Sequence, residues 1–130
     1  MKNLYTLGTS NRTIEEFLNI LRKFNIERVI DVRRFPTSKF SHFKKENLEK
    51  YLKEENIDYI YLGKNLGGYR RQGYLAFMQT LLFKEGLEKL KRLAQEKRSV
   101  IICCEKAYFR CHRRFIAVKL KEDFKVVHLY

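Results

Sequence analysis

The sequence predicts a single α/β domain in three layers, with one sheet of about five mainly parallel strands and helices on both of its faces. Three observations predict it. Short β-prone runs alternate with helical patterns along the whole chain, at spacings that suit right-handed crossovers between parallel strands. One run, SVIICC at 99–104, is apolar almost throughout, as a strand covered on both faces must be. A chain of 130 residues with 45% hydrophobic content is long enough for one core and short for two.

Each element follows from local signals. Asn3–Leu7 (NLYTL) is β-prone and stops at Gly8. Thr13 opens a helix, with Glu16 three residues on as a capping box and Ile14, Phe17, Leu18, Leu21 and Phe24 at helical spacing until Asn25 ends it. Glu27–Val32 reads as the second strand, and RRFPTSKFSHF, which holds the only proline, as the loop behind it. KKENLEKYLKEEN is the second helix, with Leu48, Tyr51 and Leu52 inward, and Asp58–Leu62 is the third strand. The segment GKNLGGYRRQGYLAFMQT opens as a glycine-rich basic loop and turns helical, continuing into FKEGLEKLKRLAQEK with Leu87, Leu90, Leu93 and Ala94 as its core stripe. Ser99–Cys104 follows as the central strand, then CHRRFIAVKLK as a helix and FKVVHLY as the fifth strand.

The charge balance narrows the function. Lys and Arg number 28 against 15 Asp and Glu, a net of +13. Such a balance favours phosphate-bearing partners. A lysine- and glutamate-rich profile is also common in thermophiles, but that explanation raises both signs together. No stretch is long and apolar enough for a membrane span, and the start MKNLYTLGTSN turns polar within a few residues; a cytoplasmic protein without a membrane partner is expected. The three cysteines are odd in number and two are adjacent, so no disulfide framework is expected.

In an open parallel sheet the ligand lies beyond the carboxyl ends of the strands. The segments there are 8–13, 31–45, 62–74 and 103–114, and they carry thirteen basic residues against only Asp31 and Glu105. Arg33 and Arg113 are the best anion ligands: Arg33 falls on the same side of a continuing strand as Asp31, and Arg113 lies in the first turn of a helix whose free N–H groups add to an anion site. The alternative for both is an ion pair with Asp31 or Glu105. Asp31 can orient a nucleophile or hold an arginine. Ser10 and Asn11 can contact a ligand or cap the first helix. In LGGYRRQGY, Tyr69 and Tyr74 lie among arginines, where rings can stack on bases, and Gly67 and Gly68 permit close backbone approach.

The pieces TLGTSN, DVRRFPTS, His42-Phe43, LGG and CCEKAYFRCHRR, in this order and at these distances, resemble the domain of unknown function 488 family over essentially the whole chain. The resemblance implies the α/β architecture argued above. It places the family's motif residues at Ser10, Asn11, Asp31, Arg33, Pro36, Ser38, His42, Phe43, Gly67 and Gly68, and at Cys103, Glu105, Cys111, His112 and Arg113. Where the family pattern is expected to read GHSN, this chain has Gly8-Thr9-Ser10-Asn11, which leaves His42 and His112 as the histidine candidates.

The cysteine cluster admits several readings. Zinc could be offered Cys103, Cys111, His112 and either Cys104 or His42, but the spacing matches no paired ligand pattern, so no metal and no other cofactor is expected. Cys104 and Arg110 have the spacing of phosphatase and rhodanese loops, yet the intervening Glu, Lys, Ala, Tyr and Phe are bulkier than such loops carry. Cys111 at a helix start beside arginines could be a low-pKa thiolate. The bland alternative makes Cys103 and Cys104 small core residues and Cys111 a packing residue.

Together these readings predict a pocket that binds or acts on a phosphate-bearing ligand, nucleic acid or a nucleotide. As a hydrolase or transferase it would use Asp31, Glu105, Cys111 and His112 for chemistry, and Ser10, Asn11, Arg33, Ser38, His42, Gly67, Gly68 and Arg113 for binding. The alternatives are a nucleic-acid-binding module without turnover and a cysteine-dependent phosphatase or sulfurtransferase.

Overall fold

The computed structural model describes residues 1–36, 40–105 and 111–130. Along the chain run β1 (Lys2–Gly8), α1 (Ile14–Lys23), β2 (Arg28–Asp31), a 3-10 turn (Ser41–Phe43), α2 (Lys45–Glu54) and β3 (Asp58–Tyr61). Two single-turn helices, α3 (Gly63–Leu66) and α4 (Tyr74–Phe77), lead into α5 (Leu81–Glu96), followed by β4 (Ser99–Cys103), α6 (Arg113–Leu120) and β5 (Phe124–His128).

The five strands form one sheet in the order β3-β2-β4-β1-β5, and every neighbouring pair is parallel. The α/β fold read from the sequence is therefore the fold observed, with β4 at the centre. Side chains alternate across the sheet. Leu4, Ile30 and Ile101 pack with Phe83, Leu87 and Leu90 of α5 and with Ile116 and Leu120 of α6. On the opposite face Leu7, Val29, Val100 and Ile102 pack with Phe17, Leu18 and Leu21 of α1 and with Leu48 and Leu52 of α2.

Local chemistry sets the helix ends. Thr13 Oγ1 accepts from the Glu16 N–H at 3.1 Å, and Glu16 Oε1 accepts from the Thr13 N–H at 3.3 Å, which completes the capping box and satisfies two otherwise orphaned donors. Asn25, with φ 54°, takes the left-handed conformation that stops α1. Thr80 caps α5 in the same way as Thr13 caps α1, accepting from the Phe83 N–H.

Several boundaries differ from the sequence expectation. Strand β2 stops at Asp31 and β4 at Cys103, one residue short of each expected end, because the following residues turn into the loops that form the site. Residues 63–66, expected as open loop, form a helical turn that packs under the chain following β2. A Cβ on Gly63 would lie 1.9 Å from the Arg33 carbonyl oxygen, and one on Gly67 would lie 2.5 Å from the Arg34 nitrogen. The loops behind β2 and β3 are thus fitted backbone to backbone.

No helix among the described residues is long and apolar enough to cross a membrane.

The contact at Gly63 predicts that Gly63→Ala destabilises the fold by about 2–3 kcal/mol or more, as overpacking against immobile backbone does. Thermal denaturation followed by circular dichroism measures this, and an unchanged Tm would contradict the backbone-to-backbone fit.

Candidate functional site

Beyond the carboxyl ends of β2, β3 and β4 lies a cleft of ≈ 360 Å³. The chain behind β2 contributes Arg33, Arg34 and Phe35, and the loop behind β3 contributes Gly68, Tyr69 and Tyr74. Cys103, Cys104 and Glu105 come from the end of β4, and Cys111, His112, Arg114 and Phe115 from the start of α6. Its place is the one that parallel topology provides for a ligand.

At its floor is a buried ion pair. Asp31 is 0% exposed and Arg33 2%. Arg33 Nε donates to Asp31 Oδ1 at 2.9 Å and Nη2 donates to Oδ2 at 2.8 Å, a two-pronged contact that fixes both groups. The Arg33 backbone N–H donates to Oδ1 at 3.0 Å, the Tyr59 hydroxyl donates to Oδ2 at 2.5 Å, and Arg33 Nη1 donates to the Phe43 carbonyl at 2.7 Å. Burial pulls the Arg33 pKa down, but the hydrogen bonds and charge of Asp31 more than offset it and the net shift is upward. Burial, with the Asp31 charge, pushes the Tyr59 hydroxyl far up, so it remains a donor.

Other cations at this end are held by carbonyl oxygens. Arg12 Nε donates to Gly8 at 2.9 Å, and Arg34 Nη1 donates to Tyr69. Arg70 Nε donates to Gly67 at 2.9 Å, and its Nη2 donates to Gly63 at 3.2 Å and Lys64 at 2.6 Å, while its guanidinium lies 3.8 Å from the centre of the Phe77 ring. Carbonyls fix these groups without cancelling their charge, although the Glu16 carboxylate also acts on Arg12. At the opposite end of the sheet several cations meet acids, Arg22 with Glu55, Arg28 with Asp58 and Glu96, and Lys97 with Asp58, while Lys2 and Arg98 there donate to the carbonyls of Gln95 and Phe24. Burial lowers the pKa of Arg12 and of Arg70, with the neighbouring Arg34 adding to the effect on Arg70. Burial brings Arg113 to about 10, still cationic at neutral pH.

The cysteines depart from expectation. Cys103 and Cys111 are joined by a disulfide, whereas the odd count and the adjacent pair had argued against one. The fold overrides that count: the end of β4 and the start of α6 both wall the cleft, and Cys103 and Cys111 pack in the same core cluster. Bonded to Cys103, Cys111 has no thiol from which a nucleophilic thiolate could form. Cys104, read as a core alternative, is instead a free cysteine whose residue is exposed overall, while partial burial of the thiol itself raises its pKa, with Arg33 opposing.

His112 Nε2 lies 3.0 Å from the Val32 carbonyl oxygen, so this nitrogen carries the proton and donates. Burial depresses the ring to about 4, against the Val32 hydrogen bond, and His112 is neutral at pH 7.

The cleft thus brings together Arg33, Gly68, Glu105, Cys111 and His112. Other expected residues lie elsewhere. Asp31 is under the floor. Arg113, 1% exposed, packs behind the wall. Gly67 faces the Arg34 backbone. His42 Nε2 lies 2.8 Å from the Arg12 carbonyl. Ser10, with φ 47°, donates its backbone N–H to the Cys104 carbonyl at 2.7 Å, and the exposed Asn11 accepts from its hydroxyl. Ser38 and Arg110 lie outside the described residues. Among the described residues no three His, Cys, Asp or Glu side chains gather as metal ligands. Sequence reasoning missed Tyr59, Arg34, Phe35 and Phe115. Tyr59 could have been found from strand alternation, which puts it on the same face as Asp31.

Fold and cleft define a three-layer, all-parallel α/β protein whose cleft is walled by loops from three strands and one helix. Residues 13–120 match the family model described as Domain of unknown function DUF488, and the chain belongs to that family. Comparison with the curated proteins finds no match, and comparison with the solved structures finds none.

Two predictions follow from these geometries. Asp31→Ala leaves Arg33 buried beside no carboxylate and should cost about 3–5 kcal/mol in urea denaturation, whereas joint replacement of both by apolar residues should recover much of that loss. His112 and His128 are both held neutral in the fold, by burial first, while the unfolded chain takes up these protons below about pH 6.5. The His112 contribution is full above that pH and is lost as pH falls towards 4, and that of His128 has the same sign. His112→Gln, whose amide can still donate to Val32, should show a smaller fall in Tm between neutral and mildly acidic pH; a fall equal to that of wild type would contradict the assignment.

Proposed function

We propose that the carboxyl end of the sheet binds a phosphate-bearing ligand, nucleic acid or a nucleotide, as its function. One observation carries this reading: Arg34 and Arg70, which line the cleft and the groove beside it, are positioned by carbonyl oxygens and not by carboxylates. Fixed, uncancelled guanidinium groups suit an anion that arrives from solution, because the side-chain ordering is done before binding. Thirteen basic residues against two acids in the segments behind β1 to β4 point the same way. In this reading Asp31 is a positioning residue that holds Arg33, and Gly68 and His112 shape the wall.

A cysteine-dependent transfer enzyme is the second reading, favoured by one observation: the Cys104 thiol, Glu105 and Arg33 line the same cleft. Its weight is smaller because burial raises the Cys104 pKa, whereas a nucleophilic cysteine needs its thiolate stabilised.

Fluorescence anisotropy of a labelled oligonucleotide tests binding. Affinity should fall steeply with salt, and Arg34→Ala and Arg71→Ala should each weaken it and reduce the slope of log K against log salt by about 0.7–0.9. Arg22→Ala, at the far end of the sheet, should change neither. Absence of binding at low salt would overturn the reading.

A further inference from the structure

Two exposed aromatic rings line the cleft. Phe35 is 57% exposed and Tyr69 87%, and their centroids are 6.3 Å apart. They come from different loops, behind β2 and β3, and the fitted backbones at Gly63 and Gly67 hold those loops together. Tyr69 has φ 59°, a conformation rare for an aromatic residue. Arg34 bridges the pair: its Nη1 donates to the Tyr69 carbonyl, and its guanidinium lies 5.1 Å from the centre of the Phe35 ring. Two aromatic rings kept in water at an energetic cost, with a cation beside them, call for a ligand with flat faces and negative charge.

The cavities on either side give that ligand its length. Arg34 and Tyr69 line the ≈ 360 Å³ cleft, and the same two residues line a neighbouring groove of ≈ 690 Å³ whose other wall includes Arg70, Arg71 and Gln72. The two spaces therefore share a wall. A lone phosphate would use neither the apolar rings nor the second groove, and a mononucleotide would fill one space. A duplex keeps its base faces stacked inside and cannot offer them to Tyr69.

We propose that the site takes single-stranded nucleic acid, with consecutive nucleotides in the two adjoining grooves, bases stacked on Phe35 and Tyr69, and backbone phosphates passing Arg34, Arg70 and Arg71. This rests on the phosphate-binding reading above and names its substrate class. Stacking is tolerant of sequence, since every base has a π face, so the site distinguishes strandedness more than sequence. Deoxyribose and ribose strands share this chemistry.

The test measures anisotropy of the full chain with fluorescein-labelled oligodeoxyuridine and oligouridine of about a dozen nucleotides, and with a blunt duplex of the same length, adding uridine monophosphate as competitor. The single strands should bind more tightly than the duplex and resist the mononucleotide, and comparison of the two strands tells which sugar is preferred. Tyr69→Asn keeps a residue that tolerates the left-handed backbone, and it should weaken single-strand binding about tenfold, as should Phe35→Ala. The salt slope should be unchanged in both, because no ionic contact is removed, and Phe35→Trp should bind as wild type or better. Should Tyr69→Asn not fold, Phe35→Ala and Phe35→Trp carry the comparison. Wild-type affinity in the ring variants, or a duplex bound as tightly as the single strands, overturns the stacking proposal while leaving phosphate binding intact. No binding of any probe overturns both.

Discussion

Burying a guanidinium at the end of a parallel sheet removes its hydration, and Asp31 is what makes the burial of Arg33 tolerable. Both carboxylate oxygens are used: two contacts from the Arg33 side chain, one from its backbone, and one from Tyr59. The third Arg33 side-chain nitrogen, Nη1, donates to the Phe43 carbonyl, which ties the chain behind β2 to the 3-10 turn before α2. Such a pair adds little net stability over an apolar pair of the same volume. Its consequence is geometric: it fixes where the chain leaves β2, and so where Arg34 and Phe35 emerge. From there Gly63 and Gly67 fit the next loop against that chain, and the cleft inherits its shape.

Charge is sorted along the strand direction. Acids pair with Arg22, Arg28 and Lys97 at the amino end, where Lys2 and Arg98 take carbonyl partners. At the carboxyl end Arg34 and Arg70 take carbonyl partners with no acid beside them in these contacts. A guanidinium held by carbonyls has its orientation settled but its charge available, which is the condition an anion site requires.

Much of the fold was legible because its signals are local. Thr13 with Glu16 announces α1, the almost wholly apolar Ser99–Cys103 announces a central strand, and the strand–helix alternation announces a parallel sheet. The segments that line the cleft were legible too, since topology alone sends the ends of β2, β3 and β4 to one side. Pairings between distant segments were not. The Cys103–Cys111 bond depends on where α6 starts relative to β4, which residue counting does not reveal. Gly67 looked like room for a ligand and proves to be room for Arg34. Arg113 looked like a ligand at a helix start and is buried behind the wall. In each case a tertiary neighbour decided the role, and propensity had no access to it.

The central claim, that the carboxyl end of the sheet is a positively charged site open to an anionic ligand, is tested most directly by an amide NMR titration with a single-stranded oligonucleotide. Perturbations should cluster at residues 33–35, 67–72 and 112–115, with the amino-end positions Arg22, Arg28 and Lys97 unmoved. Perturbations centred on that amino end, or spread evenly over the basic residues of the surface, would contradict the account.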